Sequence, residues 1–170
     1  RSERFQTMAF GPDITEQLAR ARADLRMGVP IVFLGDQPVL VLAAETLTAQ
    51  RLTDLLAVGG DPVLAITARR AETLKARAYD GDLARVLLPQ DATPRWVQSV
   101  ADPADDLRSP MKGPLACARD GSATAHSAAL QLTKTARLLP AAVILALPNA
   151  AAFASKHGLT AVYLESALPA

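Results

Sequence analysis

Two short apolar runs near the start of the chain constrain the fold more than any other feature. Pro30 to Leu34 and Val39 to Ala43 are rich in valine and leucine, and only Gly35-Asp36-Gln37-Pro38 separates them. Runs of this length without polar alternation are typical of strands that are covered on both faces. Because so short a connection joins antiparallel neighbours, the pattern predicts a hairpin buried inside a layered domain.

Helical patterns and further apolar runs interleave along the rest of the chain. Asp13 is a predicted N-cap that pairs with Glu16 in a capping box. Helices are predicted over residues 13–28, 48–58, 67–75, 93–100, 122–138 and 149–157, and further strands over 62–66, 84–88, 114–118, 140–147 and 160–164. This order favours an α/β fold, a layered α-β-α sandwich with a mixed sheet, in one domain over residues 13–170. Residues 1–12 are expected to be a tag or a disordered leader.

Composition excludes several classes of function. The 170 residues include 18 basic and 17 acidic side chains, and the basic ones are scattered, which argues against a nucleic-acid partner. No apolar segment reaches the roughly 20 residues of a membrane helix, and the start of the chain has no signal-peptide pattern. The single cysteine allows neither an intrachain disulfide nor a multi-cysteine zinc site. A cytoplasmic protein is therefore predicted.

The best local candidate for a binding site is the start of the helix in "SATAHSAAL". Ser122, Thr124, His126 and Ser127, together with helix N-terminal N–H groups, form a possible residual anion-binding site. The alternative is that the hydroxyl groups only cap the helix. His157, in the last turn of another helix, is interpreted as structural.

No catalytic constellation is recognised in the sequence, so no catalytic residue is predicted. The turn between the first two strands has one carboxylate, Asp36, whereas magnesium normally needs one or two carboxylates together with substrate oxygens. Arg69-Arg70 and the segment from Asp102 to Asp106 have the pattern of solvated faces, and residues 102–112 are predicted to form an exposed loop.

The order of several segments carries a family resemblance that extends from about Ala21 to Leu168. "GVPIVFLGD" is followed by "VLVLAAE" and "TARRAETL", and later by "PLACARDGSATAHSAAL", "RLLPAAVILAL" and "FASKHGL". This order resembles 3,4-dihydroxy-2-butanone 4-phosphate synthase, with its "AAE" strand end, "T-x-x-R-A-x-x-L" helix, "G-H-T-E-A" helix start and "FAKxHGL" segment. The resemblance implies the synthase fold and, since that family is dimeric, a homodimer.

The departures from the family fall on its chemistry. The family acts on ribulose 5-phosphate with magnesium through a long acidic loop, which is shortened here to residues 35–38. His126, or Ala125 in the neighbouring register, matches the metal-binding histidine, and Ala128 replaces the acid that follows it. The remaining departures are Ala146 for a glutamate, Pro110-Met111-Lys112 for "PGH", and a missing "T-G-I-S-A" segment. These losses would remove the cation and the acid/base groups of the reaction.

The phrase "KTARLLPAAVI" is similar to the amino-terminal half of some bacterial GTP cyclohydrolase II proteins, in which a degenerate synthase-like domain precedes the cyclohydrolase. The resemblance implies a non-catalytic domain of riboflavin biosynthesis with a structural, dimerising or regulatory role. No cofactor is expected for this chain. A C-terminal GTP cyclohydrolase II domain is the implied partner, and the zinc of that enzyme would lie there; neither a nucleic acid nor a membrane is expected as a partner.

Two alternatives remain open. The first is an altered magnesium-dependent lyase acting on ribulose 5-phosphate, with Asp36, Glu45 and His126 as a weak metal site; tight stoichiometric binding of magnesium or manganese would favour it. The second is a phosphate-ligand sensor domain that keeps an anion pocket at the helix start of residues 122–127. Thermal stabilisation by a sugar phosphate or a nucleotide would support the sensor.

Overall fold

The computed structural model describes residues 10–79, 81–106, 115–118 and 121–168. Its helices are α1 (Ile14–Arg26), α2 (Ala49–Val58), α3 (Ala68–Thr73), α4 (Pro94–Ala101), α5 (Thr124–Thr135), α6 (Ala150–His157) and α7 (Leu164–Ala167), with a 3-10 turn at Pro103–Asp105. Its strands are β1 (Ile31–Leu34), β2 (Val39–Ala43), β3 (Val63–Thr67), β4 (Leu83–Leu87), β5 (Cys117–Ala118), β6 (Ala141–Ala146) and β7 (Ala161–Tyr163).

The strands form one mixed sheet in the order β5-β4-β3-β6-β2-β1-β7. The predicted hairpin is confirmed, since β1 and β2 are antiparallel and Ile31 pairs with Val41 and Phe33 with Val39. β1 and β7 are the parallel pair, and the other described ladders are antiparallel. The hairpin lies well inside the sheet, which explains its lack of polar alternation.

Successive residues of the hairpin enter two different cores. Val32, Leu40 and Leu42 belong to the core under α2, α4 and α6, whereas Phe33 and Val41 belong to the core under α1 and α5. Side chains of adjacent strand residues point to opposite faces, so a sheet with helices on both faces buries both sets. The predicted α-β-α sandwich with a mixed sheet is therefore confirmed.

Capping side chains set the starts of four helices. Asp13 accepts the Glu16 N–H at 2.9 Å and Glu16 accepts the Asp13 N–H at 2.9 Å, which confirms the predicted capping box. Threonine hydroxyl groups accept N–H groups at the starts of α2, α3 and α4. Each such cap contributes about 1 kcal/mol.

The turn after α1 requires glycine. Gly28 is buried with φ +79°, and a Cβ atom there would lie 2.8 Å from the Thr46 carbonyl oxygen. Gly158, which ends α6 at φ +66°, would place a Cβ atom in open space. The positive φ disfavours residues other than glycine at both positions. Only at Gly28 would a Cβ atom also clash with a backbone atom.

We expect Gly28→Ala to lower the free energy of unfolding by at least about 2 kcal/mol, and Gly158→Ala by only about 1 kcal/mol. The two variants share the cost of positive φ, so their difference measures the close approach to Thr46. Chemical denaturation of both variants provides the measurement. Equal losses of unfolding free energy in the two variants would show that the close contact with Thr46 does not affect stability.

The structure corrects the predicted solvated faces at Arg70 and Asp106, whereas Pro103 and Ala104 are exposed as predicted. Arg70 is only 7% exposed and forms a two-point ion pair with Asp106, with N–O distances of 2.9 and 2.8 Å. The acidic segment begins with a 3-10 turn rather than an open loop, because the Asp102 side chain accepts the Ala104 N–H at 2.9 Å. Arg69 is exposed, as predicted.

Two other predictions need qualification. The last strand ends at Tyr163 and α7 begins at Leu164, so it is shorter than predicted. The strand predicted over 114–118 contains two paired residues, Cys117 and Ala118, while residue 114 lies outside the described ranges. Residues 1–9 and 107–114, which include most of the predicted leader and the "PMK" departure, also lie outside them. Among the described helices, none has the length and apolar character of a membrane span.

Candidate functional site

One end of the sheet and the start of α5 surround a cleft of about 700 Å³. The ladders bring the start of β2, the end of β6 and the start of β3 together there, since Val39 pairs with Ala146 and Val63 with Ile144. The turn of residues 35–38 borders this cleft and also a neighbouring one of about 530 Å³. The shortened loop therefore borders both clefts.

The structure brings together three of the four residues of the predicted anion site. Ser122 borders both clefts, Thr124 borders the smaller one, and half-buried His126 borders the larger one. The Ser122 and Thr124 hydroxyl groups lie 2.9 Å apart, and the Thr124 N–H donates to the Ser122 hydroxyl oxygen at 3.2 Å. Ser127 is exposed and lines neither cleft, so it does not belong to the group.

A buried cation in the larger cleft was not recognised in the sequence. Arg85 is 6% exposed, lies on β4 opposite Ala65 and Ala118, and borders the cleft together with His126. The feature that could have revealed it is a single arginine inside the apolar run "LARVLL". A strand seldom buries a charge without a specific role for it. Arg85 adds a positive charge near the start of α5, and Asp36 and Asp61 add negative charges to the same cleft.

The proposed weak metal site is not assembled. Asp36 and His126 border the larger cleft, as does Asp61. Glu45 follows the other end of β2, which is about 15 Å long, and its carboxylate accepts the Leu139 N–H at 2.7 Å. No group of three or more His, Cys, Asp or Glu side chains among the described residues is placed to hold a metal ion. This donor set does not fit magnesium.

Methyl groups occupy the positions where the family resemblance implies functional groups. Ala125, one of the two matches to the metal-binding histidine, and Ala146, the match to a glutamate, both border the larger cleft. Ala128, which matches the acid after the histidine, is 3% exposed and packs in the core beneath α5. A carboxylate at residue 128 would be desolvated, so the core now depends on an apolar residue there.

Comparison with known proteins places this chain in a structural class. It superimposes on a 3,4-dihydroxy-2-butanone 4-phosphate synthase of Candida albicans with a TM-score of 0.64 and 18% identity, covering 88% of this chain and 94% of the other. A two-domain synthase from A. baumannii gives a TM-score of 0.60 and 17% identity over 88% of this chain and 56% of that one. A synthase in complex with two magnesium ions gives a TM-score of 0.62 and 16% identity, covering 88% of this chain and 93% of the other. The chain therefore has the fold of this synthase.

Sequence comparison gives a different relative. The chain is 33% identical over 117 residues to GTP cyclohydrolase-2 of Azospirillum brasilense. The alignment covers 66% of this chain but only 30% of that protein. No protein-family model matches the sequence. The resemblance stated from the sequence is confirmed: the structure matches the synthase, and the sequence is similar to part of a cyclohydrolase protein.

Proposed function

We propose that this chain, which has the fold of 3,4-dihydroxy-2-butanone 4-phosphate synthase, is a non-catalytic form of that domain in a riboflavin-pathway GTP cyclohydrolase II protein. Its role is structural: it forms a dimer and supports the attached cyclohydrolase domain. The C-terminal cyclohydrolase is its partner, and the zinc of that enzyme belongs to the partner domain.

The observation that carries the non-catalytic role is the composition of the larger cleft. Ala125 and Ala146 present methyl groups there, and Asp36 is the one acid left in the turn of residues 35–38. Metal-assisted carbon chemistry needs a fixed cation and groups that transfer protons, each worth several kcal/mol in the transition state. The surrounding strands remain because both cores depend on them.

The lyase alternative has less support than it had from the sequence. Its three residues would have to converge on one cation, but the Glu45 carboxylate accepts the Leu139 N–H, at the far end of β2 from Asp36. The Glu45 carbonyl oxygen also accepts the Gln98 side-chain amide at 3.3 Å, so this residue connects the end of β2 to α4 and to the segment that precedes β6. Glu45 is better explained as a structural residue.

The relation to the cyclohydrolase supports the proposed partner. The similarity to GTP cyclohydrolase-2 covers 30% of that protein, which leaves room in it for a second domain. The two-domain synthase from A. baumannii is an example of this fold joined to another domain. A domain that has lost its own reaction can be retained where the protein still depends on it for assembly.

The structural role is tested by comparing the full-length protein with a version that lacks this domain. We expect the full-length protein to be dimeric, and deletion of the domain to produce monomers, reduce GTP hydrolysis and lower the melting temperature by more than about 5 °C. Analytical ultracentrifugation, turnover of GTP and calorimetry measure these effects. Asp36→Asn in the full-length protein is the control and should leave all three unchanged. Unchanged assembly, turnover and melting after deletion would contradict the role.

A further inference from the structure

A groove on the opposite side of the hairpin from α1 is unrelated to the cleft described above. It has a volume of about 540 Å³ and lies between α2 and α6, over Leu40 and Leu42 of β2. Leu55 closes the floor, and all three leucines are almost fully buried. The volume is within the range of small-molecule sites, and the floor is apolar because it is the face of a sheet between two helices.

One wall of the groove carries two rings that contact each other at a tilt. Phe153 and His157, one turn apart on α6, have ring centroids 4.4 Å apart and an angle of 45° between their planes. Both border the groove, and the half-buried phenyl ring stands beside its apolar floor. Aromatic side chains at a groove edge favour planar ligands, since base–aromatic stacking contributes about 1–3 kcal/mol.

The opposite wall carries one cation and one anion on α2. The Arg51 Nε–H donates to the Gly28 carbonyl oxygen at 3.2 Å, which fixes the guanidinium group at the rim. Asp54, one turn later, accepts the Gln50 side-chain amide at 2.9 Å through one carboxylate oxygen. In the described part of the chain, the terminal nitrogens of Arg51 and the second oxygen of Asp54 have no hydrogen-bond partner.

We propose that this groove binds a neutral planar heterocycle of the guanine type. A purely anionic ligand would meet Asp54 and a purely cationic one would meet Arg51, so the pair favours a neutral ligand with acceptor and donor groups on adjacent positions. Guanine presents an O6 acceptor beside N1–H and N2–H₂ donors. Guanidinium groups donate to O6, and carboxylates accept base N–H groups. The C-terminal end of α6, at His157 and Gly158, also favours hydrogen-bond donors in the groove.

The test is isothermal titration of this chain with guanosine, inosine and adenosine. Guanosine should bind at least about tenfold more tightly than adenosine, with inosine between them because it lacks the N2 amine. Asp54→Asn should lower the affinity for guanosine at least about tenfold and remove the preference over inosine. Phe153→Leu keeps an apolar side chain but removes the ring, and it should weaken all three ligands by a similar factor.

Asp91→Asn is the matched control, since this exposed acid lies outside the groove and its replacement should leave all affinities unchanged. Asp54 is itself exposed, so its variant should fold normally, which a melting curve of the free protein checks. Three results would overturn the proposal: no guanosine binding at millimolar concentration, equal affinities for guanosine and adenosine, or an Asp54→Asn variant that behaves like the control.

Discussion

Replacing Arg70 by methionine is expected to lower the free energy of unfolding by about 3–5 kcal/mol. Methionine retains most of the apolar stem but removes every hydrogen bond that the guanidinium group makes. The effect should be a shift of the denaturation midpoint without a change in its slope, since the core itself remains packed.

The expected size follows from the number of groups that share this one side chain. Besides the pair with Asp106, Nε donates to the Val100 carbonyl at 2.7 Å, and one terminal nitrogen donates to the Ser99 and Asp102 carbonyls at 3.1 and 3.4 Å. These carbonyls lie at the end of α4, where no further turn of helix is present to satisfy them. Each buried carbonyl left without a donor costs about 1–3 kcal/mol.

Arg69→Met is the matched control for this experiment. It removes the same charge from the adjacent residue, but Arg69 is exposed, so the expected change is within about 0.5 kcal/mol. Asp106→Asn should also destabilise the protein, because the buried guanidinium would lose its counter-charge. A loss below about 1 kcal/mol for Arg70→Met would show that water replaces these hydrogen bonds and that the arginine is not essential to the fold.

Local signals in the sequence were sufficient for most of the fold. The hairpin of β1 and β2 followed from two uninterrupted apolar runs and a four-residue connection. The start of α1 followed from Asp13 and Glu16, whose bonds span three residues, and the end of α6 followed from Gly158. Features of this kind are determined by residues close in the sequence, so they can be predicted without knowledge of the tertiary structure.

The errors concern charged residues whose partners are distant in the sequence. Arg70 is 36 residues from Asp106, and nothing in "TARRAETL" distinguishes it from its exposed neighbour Arg69. Arg85 enters the larger cleft only because β4 pairs with both β3 and β5. Pairing of this kind depends on strand order, which periodicity does not reveal.

The candidate site was predictable in part. The family resemblance drew attention to the turn of residues 35–38 and to His126, and the structure places them at the same cleft. Glu45 was grouped with Asp36 and His126 in the lyase alternative, but it follows the far end of β2, and a strand separates its two ends by its own length. Ser127 was included because of its place in the sequence, but its helical position turns it away from the clefts.

The second large effect concerns catalysis by this chain. With ribulose 5-phosphate and magnesium, we expect no formate release above the background without protein. Acid/base groups contribute about 10²–10⁴-fold to the rates of such reactions, and loss of the cation adds several kcal/mol to the barrier. Calorimetric titration with magnesium or manganese should likewise show no stoichiometric binding, since the described residues provide no cluster of three ligands.

Formate release is the most direct test of the central claim that this domain keeps the synthase fold without its reaction. An active 3,4-dihydroxy-2-butanone 4-phosphate synthase, assayed at the same protein and magnesium concentrations, is the positive control. The account predicts formate from the control and none above background from this chain. Formate release at an enzymic rate that Asp36→Asn or His126→Asn abolishes would contradict it.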